Sequence, residues 1–483
     1  MLDLAAIASE VERGCPNETT RTDSARECID FYRGDFGAYA SRPADGDYEA
    51  PRYRRNSLIM QRVVNVLTEH LYAKGPAREF PDGPDLTAWL QDQYQRAGLD
   101  GLMQEADRLA FAANVAAIQV VDNDDPERPV RFQLWPADQF VVWVDPADPT
   151  RPAAVATIDL YDETRRVRLW TAESVLTFRS AKLMPGQTAG GTALRLQADD
   201  ENYLGCLPFA FVHAVPPTTQ FWSSGPGACL KEMNDYINFS LTDVGDSLRY
   251  CAKPILTEYG CGSNPPRFSP GVVWHMTAAA LDEARNGIPP RAEYLQPDPS
   301  FVDAHWGDLA SYIDHVLETI GVPPATIRMV QASAKSGLAI VAEQLPLILW
   351  ATGRQRPFAV TERELARVTI KVGEAVLHRL GAAAPAWLDP GQADVLALRW
   401  PSLVPDVPAI GAEADAADQR SLALGILSRI QLVMRRFNLT REAALAHLQA
   451  VADDLAEEAK LGLPPIPTTT LPGETPGATD AEA

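Results

Sequence analysis

The chain is poor in the residues that build small-molecule chemistry. Its six cysteines, Cys15, Cys28, Cys206, Cys229, Cys251 and Cys261, are scattered through 483 residues with no Cys-x-x-Cys and no close Cys/His pairing. That excludes a zinc ribbon and a disulfide framework and predicts isolated buried thiols. Phosphate-loop chemistry needs a glycine-rich loop running directly into Lys-Ser or Lys-Thr. The only such pair is Lys335-Ser336, preceded by Ala334. His-Glu-x-x-His and Gly-x-Ser-x-Gly are absent, and the seven histidines lack ligand spacing apart from His305 and His315, which read as a polar helix face. The aspartates at 122, 124 and 125 lie in a Pro-containing turn, where Asp is common for backbone reasons. The expectation is a protein that is not an enzyme, with no cofactor and no metal.

Long apolar runs are also missing. The stretch from Ile340 to Trp350 is broken by Glu343, Gln344 and Pro346, short of the roughly 20 residues that cross a bilayer. Met1 to Arg13 carries three acids and no basic-then-apolar pattern, so it does not read as a secretory signal. No membrane partner is expected, and folding in a cytoplasm is. Basic charge is scarce as well: 43 Lys and Arg face 64 Asp and Glu, a formal net charge of −21. Such a surface does not grip nucleic acid by neutralising phosphates, so DNA, if a partner, passes by.

What is present is an ordinary globular composition, 46% hydrophobic and 22% charged, over a length that supports several cores. Helical spacing predicts helices at 22–33, 55–74, 85–97 and 100–113. From Val115 the period changes to short β runs, Val115–Val121, Val130–Trp135, Phe140–Val144, Ala153–Leu160, Val167–Trp170 and Val175–Phe178. They are separated by Asp/Pro turns and predict one β-meander packed on the preceding helices. Residues 185–201, rich in Gly, Thr and Asp, read as an exposed loop before a strand at Leu207–His213.

After Gly225-Pro-Gly227, the residues Leu230, Met233, Ile237, Leu241, Val244 and Leu248 make one apolar helical stripe. Glu232, Asp235, Asp243 and Asp246 lie off it. Pro254 ends that helix, and 254–302 is proline-rich with short β runs at 255–259 and 271–275. A second helix opens at Ser300, with Asp303 in capping-box spacing, and carries the stripe Trp306, Leu309, Ile313, Val316 or Leu317, and Ile320. Asp308, Asp314 and Glu318 lie off its stripe, and Gly321-Val-Pro-Pro324 terminates it. The stripes exceed what one helical hairpin can bury, which predicts packing between subunits at Leu230, Met233, Ile237, Leu241, Val244, Leu248, Trp306, Leu309 and Ile313. A loop at 323–335 follows, then a long helix at 336–380 that Pro346 and Pro357 should kink. A short β segment at 395–408, helices near 412–436 and 440–460 and a Pro/Thr/acid tail complete the chain.

In this order, several motifs resemble those of tailed-bacteriophage portal proteins. They are Asn56–Asn65 running through Leu71-Tyr-Ala-Lys-Gly75, Trp135-Pro-Ala-Asp138 with Val144-Asp145-Pro146, and Leu207-Pro-Phe209 with Phe221-Trp-Ser-Ser-Gly-Pro-Gly227 and Asn234–Asp243. Ser336-Gly-Leu-Ala339, with Glu343 one turn on, is the last. The likeness extends over residues 55–460, about four fifths of the chain. It implies an α+β subunit with a wing at 1–228, stem helices at 229–252 and 303–321 and a clip at 253–302. A channel loop at 322–335, a kinked wing helix at 336–395, a crown at 396–461 and a disordered tail at 462–483 complete that plan. The Gly-rich stretch at 185–201 departs from it.

The same resemblance implies a homo-oligomeric ring, typically of twelve, at the portal vertex of a virion. Its partners would be the large terminase subunit, the major capsid or scaffold protein, a head-tail adaptor and double-stranded DNA in the channel. Acidic stem positions Asp235, Asp243, Asp246, Asp308, Asp314 and Glu318 would face that channel, and Arg328, Gln331, Ser333 and Lys335 would form its DNA-contacting loop. The competing expectation is another phage head or tail protein, an adaptor or minor capsid protein.

Overall fold

The computed structural model describes residues 3–37, 39, 56–69, 71–72, 75–161, 164–181, 194–223, 225–251, 255–259, 291–295, 300–322, 324, 337–401, 428–437 and 441–460. Two compact units divide the chain, one comprising 1–333 with 341–404, the other 334–340 with 405–483. The fold is mixed α+β with antiparallel sheets.

The first unit is organised around helix α5 (Leu99–Ala113), whose Met103, Ala106, Leu109 and Ala110 are buried on all sides. Around it stand α2 (Thr19–Arg33), α3 (Ile59–Glu69) and α4 (Pro84–Ala97). Local chemistry sets their ends. Gly34, at φ +82°, closes α2 in a Schellman turn, with Asp35 N–H on the Asp30 carbonyl at 2.8 Å. Gly98, at φ +61°, separates α4 from α5 within a single residue.

The expected single meander divides in two. Strands β2 (Val115–Asp125) and β3 (Arg128–Pro136) join β9 (Phe209–His213) in a three-stranded sheet of order β3-β2-β9. β2 is its central strand, and Val115 to Val120 are buried on both faces because α5 covers one of them. Strands β4 (Phe140–Asp145), β5 (Asp148–Tyr161), β6 (Thr164–Trp170), β7 (Ser174–Arg179) and β8 (Arg195–Glu201) form a separate antiparallel meander. Its apolar face, with Val167, Leu169, Leu176 and Phe178, is covered by α1 (Leu4–Glu12) through Ile7 and Val11. Sequence reading assigned no element to residues 4–12. β8 replaces the exposed loop expected over 195–201. It is an edge strand whose only half-buried residue is Ala198, so it lacks the apolar alternation that marks a strand.

Helix α6 (Gly227–Cys251) leads to strand β10 (Ile255–Tyr259), which pairs antiparallel with β11 (Arg291–Leu295), and α7 (Ser300–Thr319) follows. The expected strand at 271–275 lies outside the described residues. The long helix α8 (Gly337–Arg379) is assigned as one element through both Pro346 and Pro357, so neither proline ends it. β12 (Ala397–Arg399) then pairs with β1 (Ala77–Glu79).

In the second unit, α9 (Arg429–Phe437) packs on α10 (Arg441–Lys460). Ser428 and Gln431 form a reciprocal capping box, with Gln431 N–H on Ser428 Oγ at 3.2 Å and Ser428 N–H on Gln431 Oε1 at 2.9 Å.

Candidate functional site: the paired helices α6 and α7

The entry to α6 depends on glycine. A Cβ on Gly227 would stand 1.7 Å from the carbonyl oxygen of Ala112, and one on Gly225 would stand 2.3 Å from Asn114 Oδ1. The start of α6 therefore presses directly against the end of α5. The glycines in Ser223-Ser-Gly-Pro-Gly227 serve close backbone approach rather than a nucleophile turn.

From that point α6 runs along the helical core. Leu230, Met233, Ile237 and Val244 are buried and Leu241 is half-buried, packed on elements that include α2, α3 and α5 of the same chain. At these positions the burial expected from neighbouring subunits is supplied within one chain, because the sequence stripe does not reveal that three further helices converge on it. Asn234 and Asn238, one turn apart, accept the Met60 and Ser57 N–H groups at 3.1 and 2.6 Å. Two backbone donors at the start of α3 are thus satisfied from another helix.

α7 packs on α6, with Tyr236 and Tyr312 at a ring-centroid separation of 4.7 Å. Leu309, Val316 and Leu317 are buried and Ile313 is half-buried. Leu248 (38% exposed), Tyr236 (44%) and Trp306 (47%) remain open. Of the acids, Asp243, Asp308 and Glu318 are exposed, as is Asp303, while Asp235 and Asp314 are half-buried. The side chain of Asp246, and the loop residues Arg328, Gln331, Ser333 and Lys335, lie outside the described residues. α7 carries four acids and no Lys or Arg.

Away from this pair, two buried ionic groups escaped sequence reading. Glu362 accepts from Arg78 Nε at 2.9 Å, from Arg78 Nη2 at 2.7 Å and from the Tyr72 hydroxyl at 2.9 Å. Burial first and Glu362 second push the Tyr72 hydroxyl far above its ordinary range. Asp107 pairs with Arg354, whose guanidinium lies over Phe111 and Phe358 at 5.5 and 5.4 Å. Burial raises the Asp107 carboxyl to about 6 against the opposing pull of Arg354. The first group ties α8 to β1, and the second ties it to α5.

An open cleft of about 540 Å³ is lined by Tyr203, Lys371, Glu374, His378 and Arg379. Its cations already have partners. Arg379 pairs with Asp124 at 2.5 Å and lies over the Tyr203 ring, and Lys371 donates to the Gly205 carbonyl at 2.9 Å. Burial raises the Cys15 and Cys28 thiols to about 12 and 11, far from thiolate chemistry. Among the described residues no group of three or more His, Cys, Asp or Glu could hold a metal, and no helix is long and apolar enough to cross a membrane.

No family model and no curated protein matches the chain. Two of the solved structures that the chain resembles are components of gene transfer agent particles. One is a chain in the neck of an empty gene transfer agent particle computed with C6 symmetry, at 15% identity over 91% of this chain and 100% of that chain, with a TM-score of 0.44. The other, in the virion of a native gene transfer agent particle, has the same identity and coverage and a TM-score of 0.40. Values this low assign neither family nor function.

Proposed function

We propose that the chain is the subunit of a portal-type ring in a phage-like particle, a structural component through which double-stranded DNA passes during packaging and ejection. The observation that carries this reading is the order α6, β10 paired with β11, α7. Two helices packed on each other bracket a two-stranded ladder, and the 43-residue α8 follows. That is the order expected of a stem, clip, stem and long wing helix, and the sequence motifs run in the same succession. In this reading the exposed acids of α6 and α7 repel phosphate, so the polymer slides without sticking.

Residues 253–302 would dock the terminase motor and later the head-tail adaptor, the wing would meet the capsid or scaffold protein, and 396–461 would form the crown. The loop at 322–335, with Arg328, Gln331, Ser333 and Lys335, would be the place able to touch DNA. Because the chain's own core takes up most of the α6 stripe, subunit contacts in the stem fall on Leu248, Tyr236 and Trp306. Deleting 258–295 and measuring terminase binding tests the docking role. Rings that assemble but no longer bind the motor are expected, and undiminished binding contradicts it.

A further inference from the structure

α8 is apolar on two opposite sides. Leu347, Ile348, Ala351 and Phe358 are buried. The outward positions Leu345, Leu349, Thr352, Gly353, Arg356 and Val360 are all exposed, and at helical spacing they fall within an arc of about 100°. Leu345 is 47% exposed, Leu349 62% and Val360 65%. A helix lying on a core turns charged residues to water, whereas one that is apolar all round is buried. From Leu345 to Val360 there is no acid, and Arg356 is the one charged residue on the outward arc. A ridge about 22 Å long by helical rise therefore lacks a cover.

α7 offers the complement. Its outward side carries Gly307, Ala310 and Ser311, all exposed, and a Cβ on Gly307 would meet nothing within 4 Å. The helix holds four acids and no Lys or Arg. Its exposed Glu318 and the exposed Arg356 of α8 form no ion pair among the described residues.

The two faces also match in spacing. Leu349 and Arg356 stand four and eleven residues beyond Leu345, and Ser311 and Glu318 stand four and eleven residues beyond Gly307. With the two helices side by side in the same direction, the leucines fall on Gly307 and Ser311, and Arg356 meets Glu318. Both faces are open in the single chain, so neither covers the other.

We propose that the outward ridge of α8 in one copy seats on the outward side of α7 in a second copy, in that register. The two surfaces are unlike, so the contact is heterologous and propagates around a ring. A chain with a formal charge of −21 repels its own copies unless a local cation meets a local anion. An acid-free ridge bearing Arg356, set on a helix without cations, supplies that pairing. The inference rests on the ring reading above and adds the surface that joins neighbours. It takes Glu318 from the channel-facing acids.

The test uses the full chain in native mass spectrometry over a range of concentrations, with thermal unfolding to confirm folding. Arg356→Glu and Glu318→Arg should each shift assembly to about tenfold higher concentration, because each brings like charges together. Combining the two in one chain should restore assembly. Leu349→Cys reads the burial directly. A maleimide should label this thiol in the dilute monomer and fail to label it in the assembly, with the unsubstituted chain as background. Assembly indifferent to both reversals, no restoration on combination, or equal labelling in monomer and assembly would overturn the contact. So would a thiol already protected in the monomer, since the chain's own remainder would then cover the ridge. Rings with an axial hole that ignore the reversals overturn this contact alone. Charge-dependent assemblies that never close into rings overturn the portal reading alone.

Discussion

Arg78 and Glu362 meet as a two-point ion pair, Nε to Oε2 at 2.9 Å and Nη2 to Oε1 at 2.7 Å, with Glu362 fully buried. The pair joins the β1 strand to the middle of α8 across 284 residues of sequence. Arg78 also reaches Asp100 at 2.8 Å, at the start of α5. Removing one member of a buried pair leaves the other charge without compensation, a cost of about 3–5 kcal/mol. Replacing both with apolar groups costs much less. Glu362→Ala should therefore destabilise the chain strongly in urea unfolding, and Arg78→Met with Glu362→Leu should recover most of the loss. Additive effects in that cycle would show that the two residues do not act as a unit.

Glycine substitutions should separate by position. Gly227→Ala drives a methyl into the Ala112 carbonyl, so α6 must shift on α5, and a loss of at least about 2 kcal/mol is expected. Gly353, inside α8, has open space around its Cβ position, and Gly353→Ala should raise stability by up to about 1 kcal/mol. Equal effects from the two substitutions would contradict the close approach of α6 to α5.

Asn234 and Asn238 act as remote caps for α3. Substituting either with Ala should cost about 1–2 kcal/mol, and hydrogen exchange should quicken first at the Ser57 and Met60 amides. Unchanged protection at those two amides would argue against the cap.

Two buried groups give stability opposite slopes with pH. Burial lowers the His213 imidazole to about 4. Between its unfolded value, near 6.5, and 4 the unfolded chain binds the extra proton, so the contribution of His213 is lost as pH falls through that window. Asp107 lies at about 6 when folded against 3.8 unfolded. Here the folded chain binds the extra proton, and stability rises as pH falls from 6 toward 4. His213→Gln should expose the second slope and Asp107→Asn the first, each by up to about 1.4 kcal/mol per pH unit. Unfolding curves at pH 4.5, 5.5 and 7 decide this, and parallel pH profiles for all three proteins would contradict it.

The periodic elements were legible in the sequence. The apolar stripes of α6 and α7 and the β runs of the meander are written at fixed local spacing, and their ends at Gly34, Gly98 and Gly321 follow from local backbone chemistry. What stayed hidden is what depends on distant partners. Nothing near Asn234 announces that it caps a helix beginning at Ile59, nor that Glu362 answers Arg78. Splitting the meander required β9 to return beside β2, a pairing across nearly a hundred residues. β8 was missed because an edge strand exposed on both faces has no apolar period. The stripe of Leu230, Met233 and Ile237 predicts contacts between subunits, but a stripe records only that a face is buried, and here α2, α3 and α5 of the same chain bury it.

In the proposed function, copies of this chain close into a ring around a channel. Native mass measurement of the purified assembly, with negative-stain images of the same sample, tests it most directly. A single closed species of about twelve copies, seen end-on with an axial hole, is the expected result. A monomer that persists at every salt and protein concentration would contradict it.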